Sequence, residues 1–168
     1  MKKTLSSKSK TITKHFKITN IENGRKVPCT SYNGKNYFLT IVDEYSRYVT
    51  AITLKNKMEV SPNLIKTINY LETQTGNKVK RIHSDGGTEF MNDTVKKFCS
   101  DKGINHTSST PYSPWHNGIA ERFNGLLESI SRSLLSQCDG NMKLWSFSIE
   151  HAALLLNVTP ILKKVNTR

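Results

Sequence analysis

The amino-acid sequence predicts an α/β fold, a sheet with helices packed on it. Residues 37–42 and 48–54 are rich in β-branched and aromatic side chains, and the polar stretch DEYSR between them predicts a hairpin or a bulged turn. Apolar residues recur at helical spacing in several later segments. The elements follow the order strand, strand, helix, strand, helix, strand, helix, helix, and this alternation is typical of the α/β class.

The middle of the chain predicts one helix and one short strand. Ser61 followed by Pro62 is typical of an N-cap and a first helical residue. The helix continues through apolar residues at helical spacing, namely Leu64, Ile65, Ile68 and Leu71, and ends at Gly76. The stretch VKRIHS, residues 79–84, predicts a strand that leads directly to Asp85 and two glycines.

The second half predicts three helices, one strand and a loop. A short helix ends at Gly103, a strand covers residues 104–109, and residues 110–118 form a loop with two prolines. A long helix follows, with an apolar face formed by Phe123, Leu127, Ile130 and Leu134. The final helix covers residues 144–157 and is followed by Pro160. We expect core positions for its residues Trp145, Phe147 and Ile149.

Positive charge dominates the chain and is concentrated at its start. The 168 residues carry a net charge of +12, and residues 1–17 contain six lysines and no acidic residue. We predict a disordered basic arm over residues 1–17, followed by one domain. An arm of this kind on a basic body favours an anionic partner, with nucleic acid the leading candidate, although a merely solvated tail is the alternative. Residues 18–35 contain turn signals but no clear strand or helix.

Composition excludes several classes of protein. Hydrophobic residues make up 36% of the chain, which leaves little for a second core. The three cysteines are scattered, odd in number and without a C-x-x-C pair, so they indicate neither a zinc site nor a disulfide framework and fit a reducing compartment. No apolar run approaches the roughly 20 residues of a membrane span, so we expect no membrane partner.

Two acidic residues are candidate ligands of a metal. Asp85 ends a strand, and Glu121 lies in the first turn of the long helix, where the helix dipole stabilises negative charge. Cleavage or transfer of phosphodiesters uses divalent metal ions, and Mg²⁺ prefers carboxylate oxygens held on rigid elements. Taken singly, Asp85 is more often an ordinary turn aspartate, because Asp-Gly is a common turn, and Glu121 is more often a solvated first-turn glutamate.

Four motifs together resemble the integrase core of copia-type LTR retrotransposon polyproteins, which belong to the retroviral integrase superfamily. In chain order the motifs are YFLTIVDEYSRY, HSDGGTEF, TPYSPWHNGIAERFN and LWSFSIEHAALLLNVTP. The resemblance covers about residues 37–160. It implies a ribonuclease-H-like fold, with a central mixed sheet flanked by helices.

The resemblance also implies roles for individual residues. Asp85 and Glu121 match two catalytic acids of the family, which hold Mg²⁺ or Mn²⁺. The candidate nucleic-acid-binding residues are His116, Asn117, Arg122 and Asn124. The implied reaction is removal of terminal nucleotides from the ends of the element's DNA, followed by strand transfer into a target duplex. DNA would be the partner, a homo-oligomer the assembly, and the nucleus the location, with a cytoplasmic pool.

The family's first catalytic aspartate is missing from this sequence. It should lie upstream of residue 37, yet the only acidic residue in positions 1–42 is Glu22. Alignment on the T-x-I pattern puts Asn20 in its position, whereas alignment on the distance to Tyr37 puts Glu22 there. Asparagine brings no charge, and the longer glutamate displaces its oxygen by more than the roughly 0.5 Å that productive geometry tolerates.

We therefore interpret the chain as a truncated, degenerate copy of an integrase core that folds but is catalytically impaired. Residues 18–160 form the core-like domain and residues 161–168 a truncated tail. Mg²⁺ binding would be weak or absent. Two alternatives stay open: an active metal-dependent polynucleotidyl transferase that uses Glu22, and a non-catalytic nucleic-acid-binding module.

Overall fold

A five-stranded mixed sheet forms the centre of the protein. The computed structural model describes the backbone of residues 16–23 and all of residues 27–108 and 118–159. The strands are β1 (Phe16–Asn23), β2 (Tyr37–Asp43), β3 (Val49–Leu54), β4 (Val79–Ser84) and β5 (Asn105–Ser108). Their order across the sheet is β3-β2-β1-β4-β5. The β1–β2 and β2–β3 pairs are antiparallel, and the β1–β4 and β4–β5 pairs are parallel, so the sheet is mixed as the sequence predicts.

Four helices cover the two faces of this sheet. They are α1 (Val60–Thr75), α2 (Asp93–Lys102), α3 (Gly118–Ser136) and α4 (Trp145–Val158). On one face, buried side chains of α1 and α2 pack with alternate residues of the strands, including Leu39, Ile41 and Ile82. On the other face, α3 and α4 pack on Phe38, Val42 and Val49. Successive residues of a strand point to opposite faces of the sheet, so each strand contributes to both cores. This arrangement of a sheet between two layers of helices confirms the predicted α/β fold.

The central strand β1 is the element that sequence analysis does not predict. It includes Phe16 and Lys17, which we expected in the disordered arm, so the ordered domain begins earlier than residue 18. Residues 1–15 lie outside the described residues. The sequence of β1, FKITNIEN, mixes apolar and polar residues and runs into the turn signal at Asn23 and Gly24. The strand owes its stability to hydrogen bonding with β2 on one side and β4 on the other, and local sequence does not report such contacts.

Two predictions about helices are wrong in detail. Ser61 is not an N-cap, because a short 3₁₀ turn over Lys57–Glu59 precedes α1 and Asn56 caps that turn. Ser61 instead lies within α1, where Pro62 is tolerated in the first turn. In α4, Trp145 and Ile149 are buried as predicted, but Phe147 is half exposed. Phe147 lies about 200° around the helix from Trp145 and therefore faces away from the sheet.

A buried ion pair joins α1 to the end of α2. The Glu72 carboxylate accepts hydrogen bonds from the Lys102 ammonium and from the Val79 backbone N–H, and Lys78 lies 3.6 Å away. Burial alone would raise the pKa of Glu72, but these hydrogen bonds and the two lysine charges together lower it below the usual 4.5. The carboxylate therefore links α1, β4 and α2.

We expect Glu72→Gln to lower the free energy of unfolding by about 1.5–3 kcal/mol at pH 7, because its charge-assisted hydrogen bonds are lost. Since folding lowers the pKa of Glu72, its contribution is complete above pH 4.5 and disappears as the pH falls through the folded-state pKa. Urea unfolding of wild type and variant at pH 7 and pH 3 measures both effects, and the difference should be smaller at the lower pH. The control Glu128→Gln, in a solvent-exposed pair with Arg132, should change stability by less than about 1 kcal/mol.

Candidate active site

Asp85 follows the last residue of β4 at the carboxyl-terminal edge of the parallel strands. The neighbouring strand β1 runs parallel to β4, and its register pairs Thr19 with His83 and Ile21 with Ser84. The next residues along the two strands are therefore Glu22 and Asp85. Sheet topology thus brings the backbone of β1, at the segment that should carry the missing acid, beside Asp85.

An irregularity in β1 separates the two positions considered for that acid. Between Thr19 and Ile21 the pairing with β4 shifts by one residue, and the pairing with β2 shifts over the same stretch. Asn20 is the residue at which the shift occurs, whereas Glu22 pairs regularly with Thr40. Both positions are next to Ile21, which pairs with Ser84, the residue before Asp85. Bulges of this kind occur beside active sites, where they redirect a side chain.

The turn after Asp85 is fixed by contacts with three other elements. The Gly87 N–H donates a hydrogen bond to Asp85 Oδ1 at 3.2 Å, and the Phe90 N–H donates to the Gly87 carbonyl at 3.0 Å. The Phe90 side chain is fully buried in the core between the sheet, α1 and α2. The Glu89 carbonyl accepts hydrogen bonds from Ser61 and Asn92. Asp85 therefore begins a rigid turn.

Glu89 lies close to Asp85 and was not singled out by the sequence. A Cβ placed on Gly87 would lie 3.0 Å from Asp85 Oδ1 and 3.1 Å from Glu89 Oε2, so the two carboxylates flank Gly87. The Glu89 side chain is only 10% exposed and pairs with the Lys57 ammonium at 3.4 Å. Its position four residues after Asp85 was visible in HSDGGTEF, but the ion pair with a residue 32 positions earlier was not.

Two histidines form hydrogen bonds beside Asp85. His83 Nδ1 lies 2.9 Å from the Thr107 hydroxyl, and Ser84 Oγ lies 2.9 Å from His106 Nε2. Burial, and secondarily the nearby imidazole of His83, lowers the pKa of His106 below its usual value. Both imidazoles therefore link β4 to β5 through hydrogen bonds, within the last two residues of β4 before Asp85.

Glu121 is exposed in the first turn of α3. Ser131 bonds Ser148 and the connection between α3 and α4 is short, so the helices are antiparallel and α3 begins beside the end of α4. The end of α4 is fixed because Asn157 makes two 2.8 Å hydrogen bonds to the backbone of Val49. Val49 lies in one row of the sheet with Val42, Thr19 and His83. Measured along the strands, the start of α3 therefore lies level with this row, which is two residues before Asp85 on β4.

The candidate nucleic-acid-binding residues have different environments. Arg122 is exposed on α3, whereas Asn124 is buried and directed toward the sheet. A contact between Asn124 and DNA would need a rearrangement of the α3 face, and the predicted role is untested. His116 and Asn117 lie outside the described residues.

Asp43, the other acid near the start of the sheet, serves a structural role. Its Oδ2 accepts hydrogen bonds from the backbone N–H and the hydroxyl of Ser46, and its carbonyl accepts from the Arg47 N–H. It pairs with Ile18 of β1, which itself pairs with Ile82, three residues before Asp85. Asp43 therefore closes the turn between β2 and β3, in the row of Ile18 and Ile82 that lies three residues along the strands from Asp85.

The described residues do not by themselves form a complete metal site. Over residues 27–108 and 118–159, no three side chains of His, Cys, Asp or Glu lie close enough together to hold one ion. Side chains of β1 and of the loop before α3 fall outside that description. Asp85 and Glu121 are oxygen donors of the type that Mg²⁺ prefers, so the chemistry of the donors fits but their number is short of three.

The layers and strand order define this protein as a ribonuclease-H-like α/β domain. The integrase core domain family matches residues 21–114, a range that includes Glu22 and Asp85 and ends before Glu121. The retrovirus-related Pol polyprotein of transposon TNT 1-94 from Nicotiana tabacum is 35% identical over 130 residues, 77% of this chain. That of transposon RE1 from Arabidopsis thaliana is 30% identical over 133 residues, 79% of the chain. The chain belongs to the integrase core domain family of retrotransposon Pol polyproteins.

The chain spans about a tenth of the length of these polyproteins, 10% of the first and 9% of the second. Solved structures agree on the fold. The magnesium complex of the HTLV-2 integrase catalytic core domain, in its trimeric form, superimposes with a TM-score of 0.63 at 20% identity, covering 86% of this chain and 87% of that one. A chain of the simian T-cell lymphotropic virus intasome gives a TM-score of 0.67 at 22% identity, covering 87% of this chain and 50% of that one.

A membrane-spanning helix is not found in the part of the chain that the structure describes.

Proposed function

We propose that this chain is a retrotransposon integrase core that binds DNA but is impaired in 3′-end processing and strand transfer. The register of β1 with β4 carries the proposal, because it aligns the segment Asn20–Glu22 with Asp85. Neither Asn20 nor Glu22 is the aspartate that the family pattern requires. The copy would act in the nucleus, with a cytoplasmic pool, as a homo-oligomer on DNA.

Asp85 and Glu121 would hold the divalent ion, Mg²⁺ or Mn²⁺. A bound ion of this kind activates the attacking oxygen and stabilises the leaving oxygen of the phosphodiester. Asp85 is suited to such a role because its turn is fixed by the buried Phe90. The start of α3 near the row of His83 supports placing Glu121 on the same side of the sheet. With an amide or a displaced carboxylate as the third donor, affinity for the ion is low.

DNA binding rests on charge rather than on a complete metal site. The chain carries +12, half of it from the six lysines of residues 1–17. Arg122 is exposed beside Glu121 and would contact the DNA backbone together with His116 and Asn117. The buried Asn124 would join them only after the face of α3 rearranges. Contacts to phosphates release counterions, so affinity should fall steeply as salt is raised.

We expect the full chain to give no more strand-transfer product than Asp85→Ala, in either Mg²⁺ or Mn²⁺, while both proteins bind duplex DNA equally. The assay uses a labelled donor duplex with a plasmid target, and binding is measured by fluorescence anisotropy from low to high salt. Arg122→Ala is the matched comparison for DNA binding. Clear wild-type strand transfer that Asp85→Ala abolishes would refute the impaired state.

A specific observation favours the second candidate, an active polynucleotidyl transferase that uses Glu22. Glu22 pairs regularly with Thr40 and directly follows the Ile21–Ser84 pair, as Asp85 does on β4. If this candidate is correct, strand transfer by wild type disappears in Glu22→Gln and is unaffected in Asn20→Ala. A non-catalytic binding module predicts instead that deletion of residues 1–17 removes most DNA affinity and that no variant affects strand transfer.

A further inference from the structure

We propose that Glu89 is a positioning residue for Asp85, held in place by Lys57 and acting across Gly87. This inference rests on the proposed metal-binding role of Asp85 and extends it to a residue outside the catalytic acids. Its basis is the packing of two carboxylates against the same side of one glycine.

Gly87 has no room for a side chain on the side where the two acids meet. A Cβ there would lie 3.0 Å from Asp85 Oδ1 and 3.0 Å from Glu89 Cδ, closer than ordinary contacts. The φ angle of Gly87 is outside the left-handed region, so an alanine is allowed by the backbone. The atoms that must move are the ends of two side chains. A methyl group at position 87 would therefore displace the carboxylates and leave the backbone in place.

The two carboxylates act on each other through this arrangement. Both lie within 3.1 Å of one point, so their oxygens are no more than about 6 Å apart, a range at which like charges repel strongly in a poorly solvated site. Asp85 Oδ1 is held on the Gly87 N–H. The Glu89 charge on the same side of the glycine disfavours rotation of the Asp85 carboxylate toward Glu89.

Glu89 is itself held from both ends. Its carboxylate pairs with Lys57 in the 3₁₀ turn before α1, and its carbonyl accepts hydrogen bonds from Ser61 of α1 and from Asn92. Asn92 in turn donates to Ser61 and caps α2 by accepting from the Val95 N–H. Two helices therefore fix the residue that limits where the Asp85 carboxylate can go.

Two variants test the proposal in the full chain, Gly87→Ala and Glu89→Gln. Gly125→Ala is the matched glycine control, because a Cβ there meets nothing within 4 Å, and Asp93→Asn is the matched charge control in the neighbouring turn. The measurements are Mn²⁺-induced broadening of amide signals, exchange of the Gly87 amide by NMR, and the thermal midpoint.

We expect Gly87→Ala and Glu89→Gln to raise the apparent Kd for Mn²⁺ by at least about tenfold, as loss of an outer-shell partner does in metal sites. In Glu89→Gln the Gly87 amide should exchange at least about threefold faster, because its acceptor is less fixed. Thermal midpoints should stay within about 4 °C of wild type, and both controls should match wild type.

Unchanged Mn²⁺ affinity together with an unchanged Gly87 amide in Glu89→Gln would overturn the proposal. If wild type shows no Mn²⁺ response at all, the proposed metal site fails, and the Gly87 amide alone then decides whether Glu89 positions Asp85. A fall in thermal midpoint that accounts for the loss of affinity would assign Glu89 a merely structural role and also overturn the proposal. Lys57→Met should reproduce the Glu89→Gln exchange effect, since it releases the carboxylate without removing it.

Discussion

Replacement of Phe90 by alanine is expected to lower the free energy of unfolding by about 3–5 kcal/mol. Phe90 has no solvent exposure and is the largest fully buried side chain of the described residues. It packs among residues of the sheet, α1 and α2, including Ile82 and Leu64. Removing the ring loses the favourable free energy of burying its apolar surface. It also leaves a cavity that the close-packed neighbours fill only in part.

The same substitution should loosen the turn that carries Asp85. Phe90 donates its N–H to the Gly87 carbonyl, so the ring anchors the segment between β4 and α2. Chemical unfolding followed by tryptophan fluorescence gives the change in stability, and amide exchange of residues 85–89 gives the local effect. Phe147→Ala is the control, because Phe147 is half exposed on the outer side of α4, and it should cost less than about 1 kcal/mol.

A stability change below about 1 kcal/mol for Phe90→Ala would contradict the packing described for this core. A large loss of stability without any change in exchange of residues 85–89 would separate the two roles. The turn would then be held by the hydrogen bonds of Ser61 and Asn92 to the Glu89 carbonyl.

Local patterns predict most elements of the fold. Strands β2 and β3 are predicted because they are rich in β-branched and aromatic residues, and β4 because a short stretch with Val79 and Ile82 leads into the turn at Asp85. Helices α2 and α4 are predicted because Gly103 follows the first and Pro160 follows the second. Gly76 and Gly103 end α1 and α2 in the left-handed conformation, as the sequence indicates. The start of α1 is predicted wrongly because Ser61 bonds the distant Glu89 carbonyl, a contact that no local pattern contains.

Strand β1 illustrates what local sequence omits. Its sequence favours a strand weakly, and its irregular pairing over Thr19–Ile21 interrupts the alternation that would reveal it. The strand is central in the sheet because β2 and β4 supply hydrogen bonds on both sides. Its two neighbours are 14 and 56 residues further along the chain, so β1 depends on non-local pairing.

The candidate site divides in the same way. The sequence points to Asp85 and Glu121 because each lies at the end of a regular element and matches an acid of the family motifs. Glu89 and Lys57 cannot, because their ion pair forms between a turn and a 3₁₀ segment 32 residues apart. The contacts around Asp85 are therefore made by irregular segments, and tertiary packing determines the geometry of those segments.

Restoring the missing acid is expected to produce the largest gain in activity. We expect Asn20→Asp to raise strand transfer in Mg²⁺ by at least about 100-fold over wild type, because a third negative ligand contributes several kcal/mol to ion binding and to the transition state, and each 1.36 kcal/mol is tenfold in rate. Position 20 lies where the backbone of β1 departs from regular pairing with β4, one residue before the partner of Ser84.

The double variant Asn20→Asp with Asp85→Ala distinguishes true restoration from contamination, because it should return to background. Calorimetry with Mg²⁺ should detect binding by Asn20→Asp where wild type binds weakly. If Asn20→Asp gains nothing and Glu22→Gln abolishes activity present in wild type, the third ligand is at position 22.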